Sequence, residues 1–133
     1  EARPGAELLL DEIGFDALIQ NADLVITGEG HSDKQTLMGK LPQRILEHVL
    51  KCRESDKSHV ACSQLAGDCK SPESSFPHVW LVSGGVSDRQ VMLDAGFDRV
   101  IQITPDSMPL EEAMKPDVAR NNIIKAIRRQ FAL

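Results

Sequence analysis

The segment DLVITGEGHSDKQTLMGK, residues 23–40, contains an apolar run that leads into a glycine-rich turn. The run Leu24–Ile26 is typical of a strand that is buried on both faces. Gly28 and Gly30 flank Glu29, and glycine lets the backbone adopt positive φ and approach a ligand closely. Because open α/β sheets bind ligands at the carboxyl ends of their strands, this turn is the candidate site.

The sequence on either side alternates between helical and strand patterns. One helix is predicted between Pro4 and Gly14, and another from Pro42, since the residue before a proline is pushed away from helical angles. Apolar runs at Val79–Val82 and Val100–Ile103 predict two further strands, the second at a sheet edge. We therefore expect a doubly wound, mainly parallel α/β sheet in three layers, a Rossmann-like or flavodoxin-like unit.

A second glycine pair follows one of these strands. Ser87 stands three residues before Gln90, a spacing that predicts a capping box at the start of a helix. Gly84 and Gly85 would then lie just before a helix N-terminus, where free N–H groups attract phosphate. They are the candidate residues for binding the phosphates of a cofactor.

Composition narrows the range of partners. The 133 residues carry a net charge of −5, with 41% hydrophobic and 26% charged residues, as in an ordinary globular domain. Nucleic acid and anionic lipid are disfavoured because both require clustered cations. No apolar run approaches the ~20 residues of a membrane span. The cysteines fit no paired zinc motif and are interpreted as reduced thiols of a cytoplasmic protein: Cys52, Cys62 and Cys69.

The loop does not match two common nucleotide-binding motifs. The third glycine of a dinucleotide fingerprint would fall at Asp33, and the first glycine of a Walker loop would fall at Lys34. His31, Ser32 and Asp33 are adjacent, so their side chains point in different directions and cannot form a catalytic relay. The residues alone therefore leave the ligand open.

The motif ADLVITGEGHSDKQTLMGKLP, residues 22–42, resembles the signature of the bacterial glycerate kinase family, whose members phosphorylate D-glycerate with ATP. Residues 3–19, 81–103 and 108–114 resemble the same family. The resemblance implies that residues 1–133 are the C-terminal third of a larger two-domain cytoplasmic enzyme. It also implies ATP and Mg²⁺ as cofactors, and D-glycerate and the remainder of the enzyme's own chain as partners. Whether the enzyme is a homo-oligomer stays open, as does the hydroxyl that is phosphorylated. A first residue that is not Met agrees with a fragment or a processed chain.

One region departs from the family pattern. The family passes from the helix that begins at Pro42 to a single strand, but this sequence offers two candidates, Val60–Cys62 and Val79–Val82. The polar segment Lys51–Ser58 before them predicts a surface turn. Residues 53–77 are therefore interpreted as an insertion.

The resemblance also implies roles for residues of the loop. Asp33 would orient or deprotonate the attacking hydroxyl, and Lys40 would supply a cation to the transferred phosphate or to the carboxylate of glycerate. Glu29 would support Mg²⁺ through water. The residues expected to contact the substrate are Gly28, Glu29, Gly30, Gln35 and Thr36.

The same residues also have purely structural interpretations. Asp33 could cap the turn that contains Gln35 and Thr36, and Lys40 could be a solvated lysine before a helix. His31 stands where the family usually has arginine. A histidine cannot make the forked, bidentate contact of a guanidinium with a carboxylate or phosphate.

Two alternative functions remain from the sequence. In the first, the chain is a non-catalytic α/β binding or regulatory module, in which Glu29 and Asp33 hold a metal or receive a phosphoryl group as in receiver domains. Against it, the central strand ends at Ser83 and Gly84, with no acidic residue. In the second, the chain belongs to an inactive glycerate kinase homologue that binds glycerate without turnover.

Overall fold

The structure, a computed structural model, describes residues 5–60 and 77–131, with only the backbone of residues 56–60. The helices are α1 (Gly5–Glu12), α2 (Phe15–Ile19), α3 (Leu41–Val60), α4 (Arg89–Ala95), α5 (Leu110–Ala113) and α6 (Pro116–Gln130). The strands are β1 (Leu24–Ser32), β2 (His78–Val86) and β3 (Arg99–Gln102), and a 3₁₀ turn spans Lys34–Leu37. None of the helices in this described part is both long and apolar enough to serve as a membrane span.

The strands form one parallel sheet in the order β1, β2, β3. The pairing of β1 with β2 runs from Leu24 opposite His78 to Ser32 opposite Val86. The shorter β3 pairs with residues 80–83 of β2. Helices pack on both faces of this sheet. The predicted Rossmann-like α/β fold with a parallel sheet is therefore confirmed.

The larger part of the core lies on the face covered by α2, α3 and α4. Val79 and Leu81 of β2 are completely buried there, and they belong to one apolar cluster with Leu46 and Val49 of α3 and Met92 of α4. Leu46 and Val49 are three residues apart and so share one side of their helix. This side anchors α3 to the sheet.

The opposite face is covered by α6. Ala126 of this helix packs with Trp80 of β2 and Ile101 of β3. Phe131 lies against Trp80 with 5.2 Å between the ring centroids. The guanidinium of Arg99 lies 4.9 Å from the centroid of the Trp80 ring, a distance at which a cation and a ring face attract each other.

Strand β1 differs from its sequence-based prediction in two ways. Burial on both faces is wrong, because Leu24 and Val25 are only half-buried and Ile26 is 50% exposed. In the described sheet β1 pairs only with β2 and forms its edge. The predicted turn at Gly28 is also wrong, because hydrogen bonding to β2 carries the strand on to Ser32.

Helix α3 is longer than predicted. It includes Lys51–Ser58, so the predicted surface turn is wrong, and Val60 is helical instead of beginning a strand. No glycine or proline interrupts the sequence between Gln43 and Val60, and lysine, arginine and glutamate favour helices. The polar residues therefore indicate a solvated helix. Residues 61–76, with most of the predicted insertion, lie outside the described residues.

The start of α4 also differs from the prediction. Its N-cap is Asp88, without a side-chain cap hydrogen bond, so the predicted capping box of Ser87 and Gln90 is wrong. The hydroxyl of Ser87 is bonded to His31, and Gln90 Nε2 donates to Asp94 Oδ1 at 2.7 Å. Both side chains thus form other hydrogen bonds, and the helix begins two residues after Ser87.

Asp98 ties β2, β3 and α3 together. Its carboxylate accepts the N–H of Val79 at 2.7 Å and Arg53 Nη2 at 3.1 Å, and Arg53 Nη2 also donates to Pro77 O at 2.7 Å. Desolvation raises the pKa of Asp98, but the hydrogen bond from Val79 and the hydrogen bond and charge of Arg53 outweigh it, so the pKa is lowered. Lowering means that the folded state favours the charged form.

We expect Asp98→Ala to reduce the free energy of unfolding by about 1–2 kcal/mol at neutral pH, because two hydrogen bonds to a carboxylate are lost. The pKa is lower in the folded state than the ordinary value near 3.9, so the stabilisation is fully present above about pH 4 and is lost as the pH falls through the folded value. Denaturant unfolding at pH 7 and pH 3 measures both effects. The exposed Asp23, replaced by alanine, is the control. An equal loss for Asp98→Ala at both pH values would contradict the assignment.

Candidate functional site

The candidate site is the stretch that runs from the carboxyl end of β1, through the 3₁₀ turn, to the first residue of α3. The 3₁₀ turn folds back after Ser32, and Gly39 redirects the chain into α3 with a φ of 93°. A side chain at Gly39 would be strained at that angle. Its N–H donates to Gln43 Oε1 at 2.5 Å, and this bond fixes the backbone immediately before Lys40.

Glu29 is the centre of the polar contacts in this stretch. Its Oε1 accepts the hydroxyl of Ser32 at 2.9 Å and the hydroxyl of Thr36 at 2.5 Å. Its Oε2 lies 3.7 Å from Nζ of Lys40. We call Glu29, Ser32, Thr36 and Lys40 the Glu29 cluster. Three of the predicted site residues, Glu29, Thr36 and Lys40, are thus brought together.

The cluster is buried at one end and open at the other. The side chain of Glu29 is 14% exposed and that of Lys40 is 44% exposed. Ser32 and Thr36 are completely buried. Lys40 can therefore reach a ligand, whereas the hydroxyl of Thr36 serves the interior of the turn.

Asp33 caps the 3₁₀ turn, as its structural interpretation predicts. Its Oδ1 accepts the N–H of Gln35 at 2.8 Å, and its own N–H donates to Thr36 Oγ1 at 3.1 Å. These reciprocal bonds form a capping box. Asp33 is half-buried and joins the Glu29 cluster through Thr36, while Gln35 is exposed.

Packing within the sheet explains why one of the two glycines beside Glu29 cannot carry a side chain. A Cβ on Gly28 would lie 2.6 Å from Val82 O of the neighbouring strand, whereas a Cβ on Gly30 would meet no atom within 4 Å. Positive φ occurs at neither of them. Gly28 is therefore required by strand pairing, and Gly30 leaves open space beside Glu29.

The second glycine pair does not have the context that its sequence predicts. Gly84 and Gly85 lie inside β2, and α4 begins only at Arg89. A Cβ on Gly84 would lie 2.3 Å from Gly30 O, and one on Gly85 would lie 2.7 Å from His31 Nδ1. The premise of a helix N-terminus is wrong, and binding of a cofactor phosphate by these residues stays a prediction.

His31 joins the ends of two strands. Its Nε2 and the hydroxyl of Ser87 are hydrogen-bonded at 2.9 Å. The N–H of Ser87 donates to Ser32 O at the same distance. Sequence reasoning considered Ser32 and Ser87 only for other roles, since nothing in their spacing shows that the end of β2 lies beside the end of β1.

Metal ligands are not concentrated at this site. The described part of the chain holds no group of three or more histidine, cysteine, aspartate or glutamate side chains that could bind a metal ion. The carboxylate of Glu29 already interacts with two hydroxyls and one ammonium group. Support of Mg²⁺ by Glu29 through water stays a prediction.

Comparison with known proteins gives consistent matches. Residues 1–77 match the family model described as "Glycerate kinase family". The chain is 36% identical over 121 residues to a protein of Bacillus cereus named glycerate kinase, covering 91% of this chain and 26% of that protein. It is 31% identical over 113 residues to the glycerate kinase of Halalkalibacterium halodurans, covering 84% and 24%. For the Bacillus subtilis glycerate kinase the identity is 29% over 116 residues, covering 86% and 24%. The chain thus spans about a quarter of the length of these relatives.

Proposed function

Because the chain belongs to the glycerate kinase family, we propose that it is the C-terminal part of an enzyme that transfers the γ-phosphoryl group of ATP to D-glycerate. The observation that carries the proposal is the 36% identity with a glycerate kinase over 91% of the chain. The Glu29 cluster lies where α/β sheets bind ligands, at the carboxyl end of β1. The remaining wall of the site would come from other parts of the same enzyme.

Asp33 would orient the attacking hydroxyl of glycerate or accept its proton. Catalysis of phosphoryl transfer consists mainly of positioning and electrostatic stabilisation, and a carboxylate commonly accepts the substrate hydroxyl proton. A carboxylate has about four acceptor positions, so capping the turn does not use up this capacity. The bond from Gln35 N holds the carboxylate in a fixed orientation. Capping and catalysis are thus compatible in one residue.

Lys40 would bind a negative oxygen of the substrate. Its ammonium has three N–H donors, and the pairing with Glu29 at 3.7 Å leaves donors for a phosphate or for the carboxylate of glycerate. Glu29 would fix the position of this ammonium. Gln35 is exposed and could contact glycerate, whereas the burial of Thr36 favours a role in holding the turn.

ATP and Mg²⁺ belong to the proposal through the family resemblance. Magnesium commonly keeps several waters and is held by one or two carboxylates together with substrate phosphates. When bound, the ion would neutralise charge on those phosphates. The contacts of Glu29 disfavour it as a direct ligand, so we assign no step to a metal ion held by this chain. A cytoplasmic location, as expected for metabolite phosphorylation, is likewise part of the proposal.

The test is ADP formation by the full-length protein with D-glycerate, ATP and Mg²⁺. We expect ADP to appear only when glycerate is present, and ³¹P NMR of the product identifies the phosphorylated hydroxyl. Lys40→Gln should lower kcat/KM by about 10²-fold, because a positioned charge near the transferred phosphoryl group is lost.

The matched control is Lys34→Gln, since Lys34 is an exposed lysine of the neighbouring 3₁₀ turn. It should keep wild-type activity. Absence of turnover with every hydroxy acid tried would contradict the kinase proposal. Saturable glycerate binding without turnover would instead favour an inactive homologue.

A further inference from the structure

A cavity opens at the carboxyl end of β3, on residues that the proposed reaction does not use. Its volume is about 290 Å³. Gln102, the last residue of β3, lines it together with residues 103–106 and one side of α6. It therefore lies at the sheet edge where open α/β proteins bind ligands.

Three cationic side chains from two helices converge on this cavity. Arg89 comes from α4, and Lys125 and Arg129 come from α6. Within the part of the chain that the structure describes, none of the three forms an ion pair with a carboxylate. Lys125 and Arg129 are four residues apart, and like charges at this helical spacing repel. A bound anion would remove this repulsion.

Asp106, whose carboxylate lines the cavity, is already hydrogen-bonded to Gln102. Asp106 Oδ1 accepts Gln102 Nε2 at 2.7 Å, and the same amide nitrogen donates to Thr104 O at 2.8 Å. Gln102 Oε1 accepts the N–H of Val86 at 3.2 Å. Gln102 therefore fixes the loop that follows β3 and occupies one oxygen of the Asp106 carboxylate.

A buried amide adds a donor to the lining. Asn122 is only 7% exposed, and its Nδ2 donates to Met108 Sδ at 3.4 Å. A thioether is a weak acceptor. A phosphate oxygen would be a stronger acceptor for the same amide.

The helix dipole does not account for this arrangement. Arg128 and Arg129 both lie in the last turn of α6, where cations are favoured. The dipole effect falls off within that turn, so it does not explain Lys125. Arg89, from another helix, is held beside β3 by a hydrogen bond from its Nη1 to Val100 O. The chain has a net charge of −5, which makes a local excess of cations a specific feature of this cavity.

We propose that this cavity is a phosphate-binding site. Guanidinium and ammonium groups are the side chains that proteins use for phosphate recognition. Ligand pockets usually have volumes of about 300–1,000 Å³, so this cavity suits a phosphate group with a short carbon chain. A nucleotide would place its base outside. The cavity residues differ from those of the Glu29 cluster, so failure of pyrophosphate binding here and failure of the proposed kinase reaction are separate outcomes.

The experiment follows isoleucine methyl groups by NMR in the full-length protein while pyrophosphate is added. Ile103 lines the cavity, and Ile13, which is 51% exposed near the end of α1, is the reference. We expect a saturable shift of the Ile103 methyl group and none at Ile13. The double variant Lys125→Gln/Arg129→Gln should weaken binding by at least about tenfold, a loss equivalent to 1.4 kcal/mol.

The matched control is Arg120→Gln/Arg128→Gln, which removes the same charge from exposed positions of α6 outside the lining. It should retain wild-type affinity at equal ionic strength. Equal weakening in both double variants, or no saturable shift of Ile103, would overturn the proposal. Competition with phosphoglycerate and with ATP then distinguishes a phosphorylated acid from a nucleotide as the source of the phosphate. Displacement by neither would also overturn it.

Discussion

Replacing Asp33 by asparagine in the full-length protein is expected to lower kcat by about 10²–10⁴-fold, the usual contribution of a general base. Asparagine has nearly the same shape and can accept the N–H of Gln35, which Asp33 Oδ1 accepts at 2.8 Å. It cannot take up a proton from the hydroxyl of glycerate. Because aspartate and asparagine cap helical turns almost equally well, the fold should persist. Initial rates at saturating glycerate and ATP measure kcat, and thermal unfolding of the same samples shows whether the fold persists.

The control for this prediction is Asp88→Asn at the N-cap of α4. Asp88 makes no side-chain cap bond, and the same change of charge there should leave kcat unaltered. Wild-type turnover by Asp33→Asn would remove Asp33 from the mechanism and leave it as a capping residue. Equal losses in both variants would show that net charge, and not the position of the carboxylate, is responsible.

Gly84→Ala is expected to destabilise the protein by about 1–3 kcal/mol or more, the cost of forcing atoms into a closely packed site. The new methyl group would lie 2.3 Å from Gly30 O and 3.4 Å from Gly30 C. Both are backbone atoms of the neighbouring strand, so relief requires β1 and β2 to move apart. Denaturant unfolding of the full-length protein, together with the soluble yield, measures the effect.

The matched control is Gly30→Ala, on the strand directly opposite. A methyl group there meets no atom within 4 Å, and Gly30 does not have positive φ. Its stability should stay within about 0.5 kcal/mol of wild type, as for most surface substitutions. If Gly84→Ala were as stable as Gly30→Ala, the close approach of the two strands would be wrong. Loss of activity by a stable Gly30→Ala protein would support contact of this residue with the substrate.

The elements that sequence predicted well are those set by local pattern. The runs Leu24–Ile26 and Val79–Val82 lie in strands, and a helix follows the turn before Pro42. These features depend on the apolar character and backbone preferences of neighbouring residues, which can be read along the chain. Asp33 as the cap of the next turn is equally local, because its partners are two and three residues away.

The predictions that failed depended on distant neighbours. The end of β1 was placed too early because the strand is extended by pairing with β2, about fifty residues further on. Ser87 does not cap α4 as predicted, because its hydroxyl is hydrogen-bonded to His31. Gly84 and Gly85 lie inside β2 and not just before a helix, because pairing with β1 extends that strand; their binding of a cofactor phosphate stays a prediction.

The sequence by itself determined the family, the α/β class and the loop that carries Asp33 and Lys40, because each is expressed in residues close together along the chain. Only the tertiary structure decided the contacts of the Glu29 carboxylate and the convergence of cations from α4 and α6 beside β3. The physical reason is that hydrogen bonds and charge interactions act over a few ångströms in space. Which groups come within that distance is set by the pairing of the strands and the packing of the helices.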